Sequence, residues 1–150
     1  PADCVRFGLR FNKKPIDLIV AGINLGANLS HDVAYSGTVN ACLEGNLLGC
    51  KAIAFSNTHY ENFLFEENCK VISKIFDKLV SISSKNYTIN VNLPNLKESE
   101  IKGVGISKIG NRKYNDIYLP TKENTVMLTG TPINDMSQDK SSEDYYLIEI

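Results

Sequence analysis

The chain has 150 residues, 43% of them hydrophobic and 22% charged, which is the composition of a single globular domain with an apolar core. Its 16 basic and 17 acidic side chains nearly cancel, so the charge does not suit a binder of nucleic-acid polymers. The longest apolar run, Leu18 to Ile23, is far too short to span a membrane. The sequence therefore predicts a soluble, cytoplasmic protein.

The first 95 residues alternate between helical and strand patterns. Residues 1–11 predict a helix, and the nearly continuous apolar run from Ile16 to Ala21 is typical of a central parallel strand. Thr38 to Leu48 predicts an amphipathic helix, and Ala52 to Ser56 a second strand. A strand, helix and strand at this spacing form a βαβ crossover, which indicates an α/β fold with a mostly parallel sheet.

A longer helix is predicted over Phe63 to Ile82, and an alternating strand over Tyr87 to Leu93. From residue 96 the helical periodicity disappears, and this segment predicts a strand-rich extension of the same domain that caps the active-site face or pairs with another subunit. Its β-prone runs are Gly103 to Ile109, Ile117 to Leu119, Thr125 to Thr129 and Tyr145 to Ile150. The polar stretch from Ser137 to Glu143 predicts a mobile loop.

The four cysteines lack the spacing of a zinc finger or a disulfide framework. Cys42 and Cys69 fall inside apolar helical patterns, so we expect reduced, core-forming side chains and a reducing compartment. The chain starts at Pro1 and stops inside the alternating run that ends at Ile150, and both ends lead us to expect a piece of a longer protein.

The segment after Ala21 is the best candidate for ligand binding, because ligands of open parallel sheets bind beyond the carboxyl ends of the strands. Gly22 and Gly26 would let the backbone approach a ligand, while Asn24 and Asn28 offer neutral amides. Glycine and asparagine are also the ordinary residues of tight turns, so these residues alone favour a plain loop.

Phosphate binding is indicated by the next element, Tyr35-Ser36-Gly37-Thr38, at the start of the amphipathic helix. Free N–H groups and the helix dipole attract anions there, although Ser36 or Thr38 would also serve as a simple N-cap. Neither a Walker A loop nor a dinucleotide fingerprint is present. His31 and Asp32 as an acid–base pair, and His59 as a catalyst, are less favoured than solvated loop residues.

These residues resemble the SurE family of survival-protein nucleotidases. The family pattern S-G-I-N-x-G-x-N-L-G-D-D-V-x-Y-S-G-T-V, followed by an A-x-E-G helix, is matched by Ala21 to Leu29, by Asp32-Val33, by Tyr35 to Val39 and by Glu44-Gly45. Pro1 to Val5, Ala52 to Ser56, Thr129-Gly130 and Glu143 to Tyr146 resemble further family segments.

The resemblance implies a Rossmann-like three-layer α/β/α fold and a phosphatase that depends on Mg²⁺ or Mn²⁺. Its implied substrates are nucleoside 5′- and 3′-monophosphates, in some members also polyphosphate, and its implied assembly is a homodimer or homotetramer. Asn24 corresponds to a metal ligand of the family, and Ser36, Gly37 and Thr38 correspond to the phosphate-binding turn. Asn28 matches a second asparagine that we expect to line the same pocket.

The family's paired aspartates and a ligating serine lie upstream of the residue that matches Pro1. The resemblance therefore implies that this chain holds no catalytic residue and is inactive alone. Four residues depart from the family, namely Ala21 for serine, Ser30-His31 for Gly-Asp, and Lys51 for the usual proline before the second strand. The alternative hypotheses are a non-catalytic nucleotide- or phosphate-binding module and, ranked last, a structural assembly subunit.

Overall fold

The computed structural model describes residues 1–111, 113–122 and 124–133. The described chain divides into two compact units, one formed by residues 1–28 and 32–104, the other by residues 29–31 and those from 105 onward. The predicted runs at Ser137 to Glu143 and Tyr145 to Ile150 lie outside the described residues. No helix in the described part of the chain is both long enough and apolar enough to cross a membrane.

The first unit contains a three-stranded parallel sheet in the order β1-β2-β3. Its elements are α1 (Ala2–Phe11), β1 (Leu18–Leu25), α2 (Asp32–Tyr35), α3 (Gly37–Leu47), β2 (Lys51–Asn57), α4 (Phe65–Ile82) and β3 (Thr88–Leu93), followed by a 3₁₀ turn at Glu98–Glu100. The predicted parallel α/β class is therefore confirmed.

Helices cover both faces of the sheet, each over a separate apolar cluster. On one face Ile53, Phe55 and Leu93 pack against Val71 and Leu79 of α4. On the other face the small side chains of the sheet meet α3, in a cluster formed by Val39, Cys42, Ala52 and Ala54. Because side chains alternate along a strand, the apolar residues of β2 serve both clusters, as expected for a strand buried on both faces.

Cys42 lies at the centre of the α3 cluster and is fully buried. Burial raises the pKa of its thiol to about 11, and hydrogen bonds from the backbone of Ala21 and Ile53 oppose that rise only in part. Cys50 is also buried, Cys69 is half-buried and Cys4 is exposed, and all four are free thiols. The expectation that Cys42 packs as a small hydrophobic residue agrees with this position.

The second unit contains an antiparallel pair, β4 (Lys113–Pro120) and β5 (Val126–Ile133). These strands confirm the predicted strand-rich extension and lengthen the runs expected at Ile117 to Leu119 and Thr125 to Thr129. The run from Gly103 to Ile109 was expected to be a strand, and this prediction is wrong because the segment forms no extended strand. Its glycines at 103 and 105 provide no side chains to pack on a sheet.

Candidate functional site

The first candidate segment is the end of β1, where the strand continues four residues beyond the predicted end at Ala21. Its pairing with β2 shifts between Ala21 and Asn24, and Asn24 pairs with Ser56 after the shift. Gly22 lies in this irregular stretch with φ +117, and a Cβ there would lie 2.2 Å from the carbonyl oxygen of Phe55. Only glycine fits this position, so Gly22 allows the irregular strand geometry that places Asn24.

The side-chain amide of Asn24 is fixed by its own turn. Nδ2 donates to the carbonyl oxygens of Leu25 at 3.2 Å and Gly26 at 2.9 Å. Oδ1 has no hydrogen-bond partner among the described residues, and the side chain is half-buried. An amide oxygen is a ligand that Mg²⁺ and Mn²⁺ accept, so Asn24 fits a metal site as one neutral oxygen ligand.

Acidic ligands for such a metal are not grouped in the described ranges. Within them, no three His, Cys, Asp or Glu side chains lie close enough together to hold a metal ion. The described residues therefore provide a single ligand for the predicted metal site, the neutral amide oxygen of Asn24.

Asn28 is buried, with 6% of its surface exposed. Its Nδ2 donates to Ser56 Oγ at 2.6 Å, so one of its two amide hydrogens is already used inside the protein. Its backbone is held from β3: the N–H donates to Asn92 Oδ1 at 2.8 Å, and the carbonyl oxygen accepts from Asn90 Nδ2 at 2.8 Å and Asn92 Nδ2 at 3.2 Å. Its predicted contact with phosphate remains a prediction.

The Ser36-Gly37-Thr38 turn begins α3. Ser36 is the N-cap residue, and its Oγ accepts from the N–H of Val39 at 3.1 Å. Thr38 is half-buried, and its hydroxyl has no hydrogen-bond partner among the described residues. Together with the N–H groups of Gly37 and Thr38, which have no acceptor among the described residues, this hydroxyl offers donors for an anion.

Gly37 lies against the start of α1. A Cβ at this position would lie 2.8 Å from Cγ of the Pro1 ring, so glycine lets α1 and α3 approach closely. Arg6 of α1 also pairs with Glu44 of α3. Helix packing is therefore one reason for a glycine at this position.

The two histidines lie in different surroundings. His59 follows β2 at the carboxyl edge of the sheet, where its N–H donates to Asn57 Oδ1 at 2.7 Å and its carbonyl accepts from Gly26 N at 3.2 Å. His31 is exposed, and its Nε2 lies 2.9 Å from Asn111 Oδ1.

Sequence reasoning missed the asparagines of β3. Thr88, Asn90 and Asn92 share one face of the strand, whereas the alternating pattern of the sequence predicts only that Thr88 and Asn90 oppose Ile89 and Val91. The available signal was composition, because asparagine is depleted in strands and two of them on one face require hydrogen-bond partners.

The topology places these features at one edge of the sheet. Because α3 connects two parallel strands, its N-terminus lies at their carboxyl ends, the edge where β1 delivers Asn24. Fold and site together define an open-sheet α/β protein with its polar groups collected at the carboxyl edge.

Comparison with known proteins identifies the family. The family model described as "Survival protein SurE" matches residues 1–116. The chain belongs to the SurE family.

Individual relatives agree with this assignment. A protein of Aquifex aeolicus named "5'-nucleotidase SurE" is 46% identical over 77% of the chain and 47% of its own length. A Petrotoga mobilis protein of the same name is 40% identical over 99% of the chain and 61% of its own length. The crystal structure of the SurE protein from Aquifex aeolicus has a TM-score of 0.81 at 33% identity and covers 99% of the chain and 62% of that structure. The chain thus spans about half to three fifths of the length of these relatives.

Proposed function

We propose that the protein to which this chain belongs is a metal-dependent phosphohydrolase that removes phosphate from nucleoside 5′-monophosphates. Nucleoside 3′-monophosphates and polyphosphate are further proposed substrates. The supporting observation is that Asn24 Oδ1, which has no partner among the described residues, and the capped N-terminus of α3 belong to the same edge of the sheet. The relatives named as 5′-nucleotidases add the substrate class.

The proposed roles follow from the polar groups that the fold leaves available. Asn24 Oδ1 is one ligand of Mg²⁺ or Mn²⁺, and its orientation is set by the two carbonyls that hold Nδ2. When bound, such a cation polarises the phosphoryl group and lowers the pKa of a coordinated water. The N–H groups of Gly37 and Thr38 and the Thr38 hydroxyl hold phosphate oxygens, while Ser36 keeps the first turn in shape by accepting from the Val39 N–H. Asn28 lines the same pocket in this proposal.

Substitution of Asn24 and Thr38 tests this proposal. In the full-length protein, Asn24→Ala and Thr38→Ala should each lower the rate of phosphate release from AMP by at least about ten-fold, since each removes a group that contacts metal or phosphate. Phosphate release is measured colorimetrically with Mg²⁺ and with Mn²⁺. The 150-residue chain assayed alongside should release no phosphate, because Asn24 offers only one neutral metal ligand.

Asn12→Ala provides the matched control, since Asn12 also donates to a nearby carbonyl, that of Lys14 at 2.9 Å, but precedes β1 at the opposite edge of the sheet. Its rate should equal that of the unmodified protein. Unchanged rates in both site variants would refute the assigned roles. A full-length protein that binds AMP without hydrolysing it would instead support the non-catalytic binding module.

We also propose a homodimer or homotetramer, formed through β4 and β5. These strands expose large apolar side chains, namely Tyr118, Val126, Met127 and Leu128, each more than half exposed. Exposed apolar residues on a two-stranded pair are typical of surfaces that pair with another subunit.

A further inference from the structure

Asn28 is held by an arrangement of hydrogen bonds that we call the β3 clasp, formed by the side chains of Asn90 and Asn92. Asn92 binds both polar groups of the Asn28 backbone, with Oδ1 accepting from the N–H and Nδ2 donating to the carbonyl oxygen. Asn90 donates a second hydrogen bond to the same carbonyl. Two side chains thus replace the neighbouring strand that would otherwise satisfy this segment of backbone.

The clasp joins residues that are more than 60 positions apart in the chain. Between Asn24 and Asn28 lies Gly26, whose backbone has a φ of +92°, a value that residues with a side chain rarely adopt. Glycine permits this backbone conformation, and the middle of the turn is held by the Gly26 N–H, which donates to the carbonyl oxygen of His59 at 3.2 Å. The remaining fixed points of the turn are its two ends. Asn24 is held at one end by its pairing with Ser56, and Asn28 at the other end by the clasp.

Core stability alone does not account for Asn90. Its Oδ1 is buried and has no hydrogen-bond partner among the described residues, which is unfavourable, and the neighbouring β2 residue on this face is Ala54. A valine would suit this strand position better by shape and by propensity. Residues that break such a local rule are expected where function requires them.

We propose that Asn90 and Asn92 are positioning residues of the active site, which fix the turn from Asn24 to Asn28 so that Asn24 Oδ1 faces the metal and substrate. This inference rests on the proposed function. Neither side chain contacts the reacting atoms in this scheme, and both act through the Asn28 backbone.

The test compares Asn90→Val and Asn92→Ala in the full-length protein. Both should lower kcat/KM for AMP by about ten-fold or more, the usual loss when a residue that supports a metal ligand is removed. The melting temperature of Asn90→Val should be unchanged or higher. The substitution removes the buried oxygen that has no partner among the described residues, and the Asn28 carbonyl, which loses the hydrogen bond from Asn90, still accepts from Asn92 Nδ2. A merely structural role predicts that activity and melting temperature fall together.

Asn46→Ala is the matched control. Asn46 also donates to two backbone carbonyls, those of Cys50 at 3.0 Å and Ser84 at 3.2 Å, and it accepts from the Thr88 hydroxyl at the start of β3. It lies in the last turn of α3, at the opposite end of that helix from Ser36. Asn46→Ala should lower the melting temperature, and its kcat/KM measured well below that temperature should be unchanged. Asn92→Asp, which keeps the acceptor for the Asn28 N–H, replaces Asn92→Ala if that variant does not fold.

Amide hydrogen exchange separates this inference from the proposed function. Exchange of the Asn28 N–H should be faster in Asn92→Ala and unchanged in Asn46→Ala. Two results for Asn92→Ala would overturn the positioning role. One is faster exchange of the Asn28 N–H with unchanged kcat/KM, and the other is unchanged exchange of this N–H. If the unmodified full-length protein hydrolyses no nucleoside monophosphate, the proposed function is wrong, and so is the positioning role that rests on it. The exchange data would still show whether the clasp holds Asn28.

Discussion

Cys42 shows at the scale of one residue how burial controls chemistry. The thiol lies between α3 and the sheet, and burial raises its pKa from 9.0 to about 11. In the unfolded chain the same thiol ionises near its ordinary value. Between pH 9 and pH 11 the unfolded state therefore loses a proton that the folded state retains, and the free energy of unfolding falls as the pH rises through this window.

Cys42→Ala should remove this pH dependence. Over the two pH units the unmodified chain should lose about 2 to 3 kcal/mol more stability than the variant, since each unit of pKa difference is worth roughly 1.4 kcal/mol. Urea unfolding followed by circular dichroism at pH 8, 9, 10 and 11 measures the difference. Comparing slopes cancels the titration of lysines and tyrosines, which both chains share. Parallel stability curves would contradict the raised pKa.

At the scale of elements, two helical glycines illustrate opposite packing demands. Gly45 of α3 lies on β1, and a Cβ there would be 2.8 Å from Cγ1 of Ile19. Around Gly8 of α1 the space is open, since a Cβ there would have no atom of the described part of the chain within 4 Å. Gly45 thus marks a close contact between helix and strand, while Gly8 makes no such contact with the described residues.

The two alanine substitutions should change stability in opposite directions. Gly45→Ala should destabilise the first unit by about 1 to 3 kcal/mol, because the added methyl forces Ile19 or α3 to move. Gly8→Ala should stabilise it by about 0.5 to 1 kcal/mol, the usual gain of alanine over glycine inside a helix. Urea unfolding of both variants measures these changes. Equal changes in the free energy of unfolding would show that the space between α3 and Ile19 accommodates the added methyl group.

The periodicity of the sequence was sufficient to predict the helices and parallel strands of the first unit. Apolar runs, an amphipathic stripe and helix-terminal residues depend on nearby residues, which is why α3, β2 and α4 were predicted within a few positions. The extension of β1 to Leu25 was not predicted, since Gly22 and Gly26 have the composition of a loop. The clasp was also missed because its partners are far apart in sequence.

At the scale of the whole molecule, the exposed apolar surface of β4 and β5 supports the proposed oligomer. Tyr118 and Leu128 are register partners and are 66% and 56% exposed. Burial of such a pair against a second copy would remove a large apolar area from water.

Leu128→Lys should therefore lower the oligomeric state of the full-length protein, because a buried, unpaired ammonium opposes association. Size-exclusion chromatography with light scattering measures the mass. Asn115→Lys, an exposed polar position in the same pair of strands, should leave the mass unchanged. An unaltered mass in Leu128→Lys would assign the oligomer interface to another surface.

The alternation along β3 also determines which pairing register is allowed. Ile89, Val91 and Leu93 face the α4 side, while Thr88, Asn90 and Asn92 face the α3 side. A slip of one residue against β2 would exchange these two sets, burying three polar side chains against α4 and leaving the Asn28 backbone facing apolar groups. The asparagines thus make incorrect alignments of β3 costly, so a parallel strand of only six residues can specify its own register.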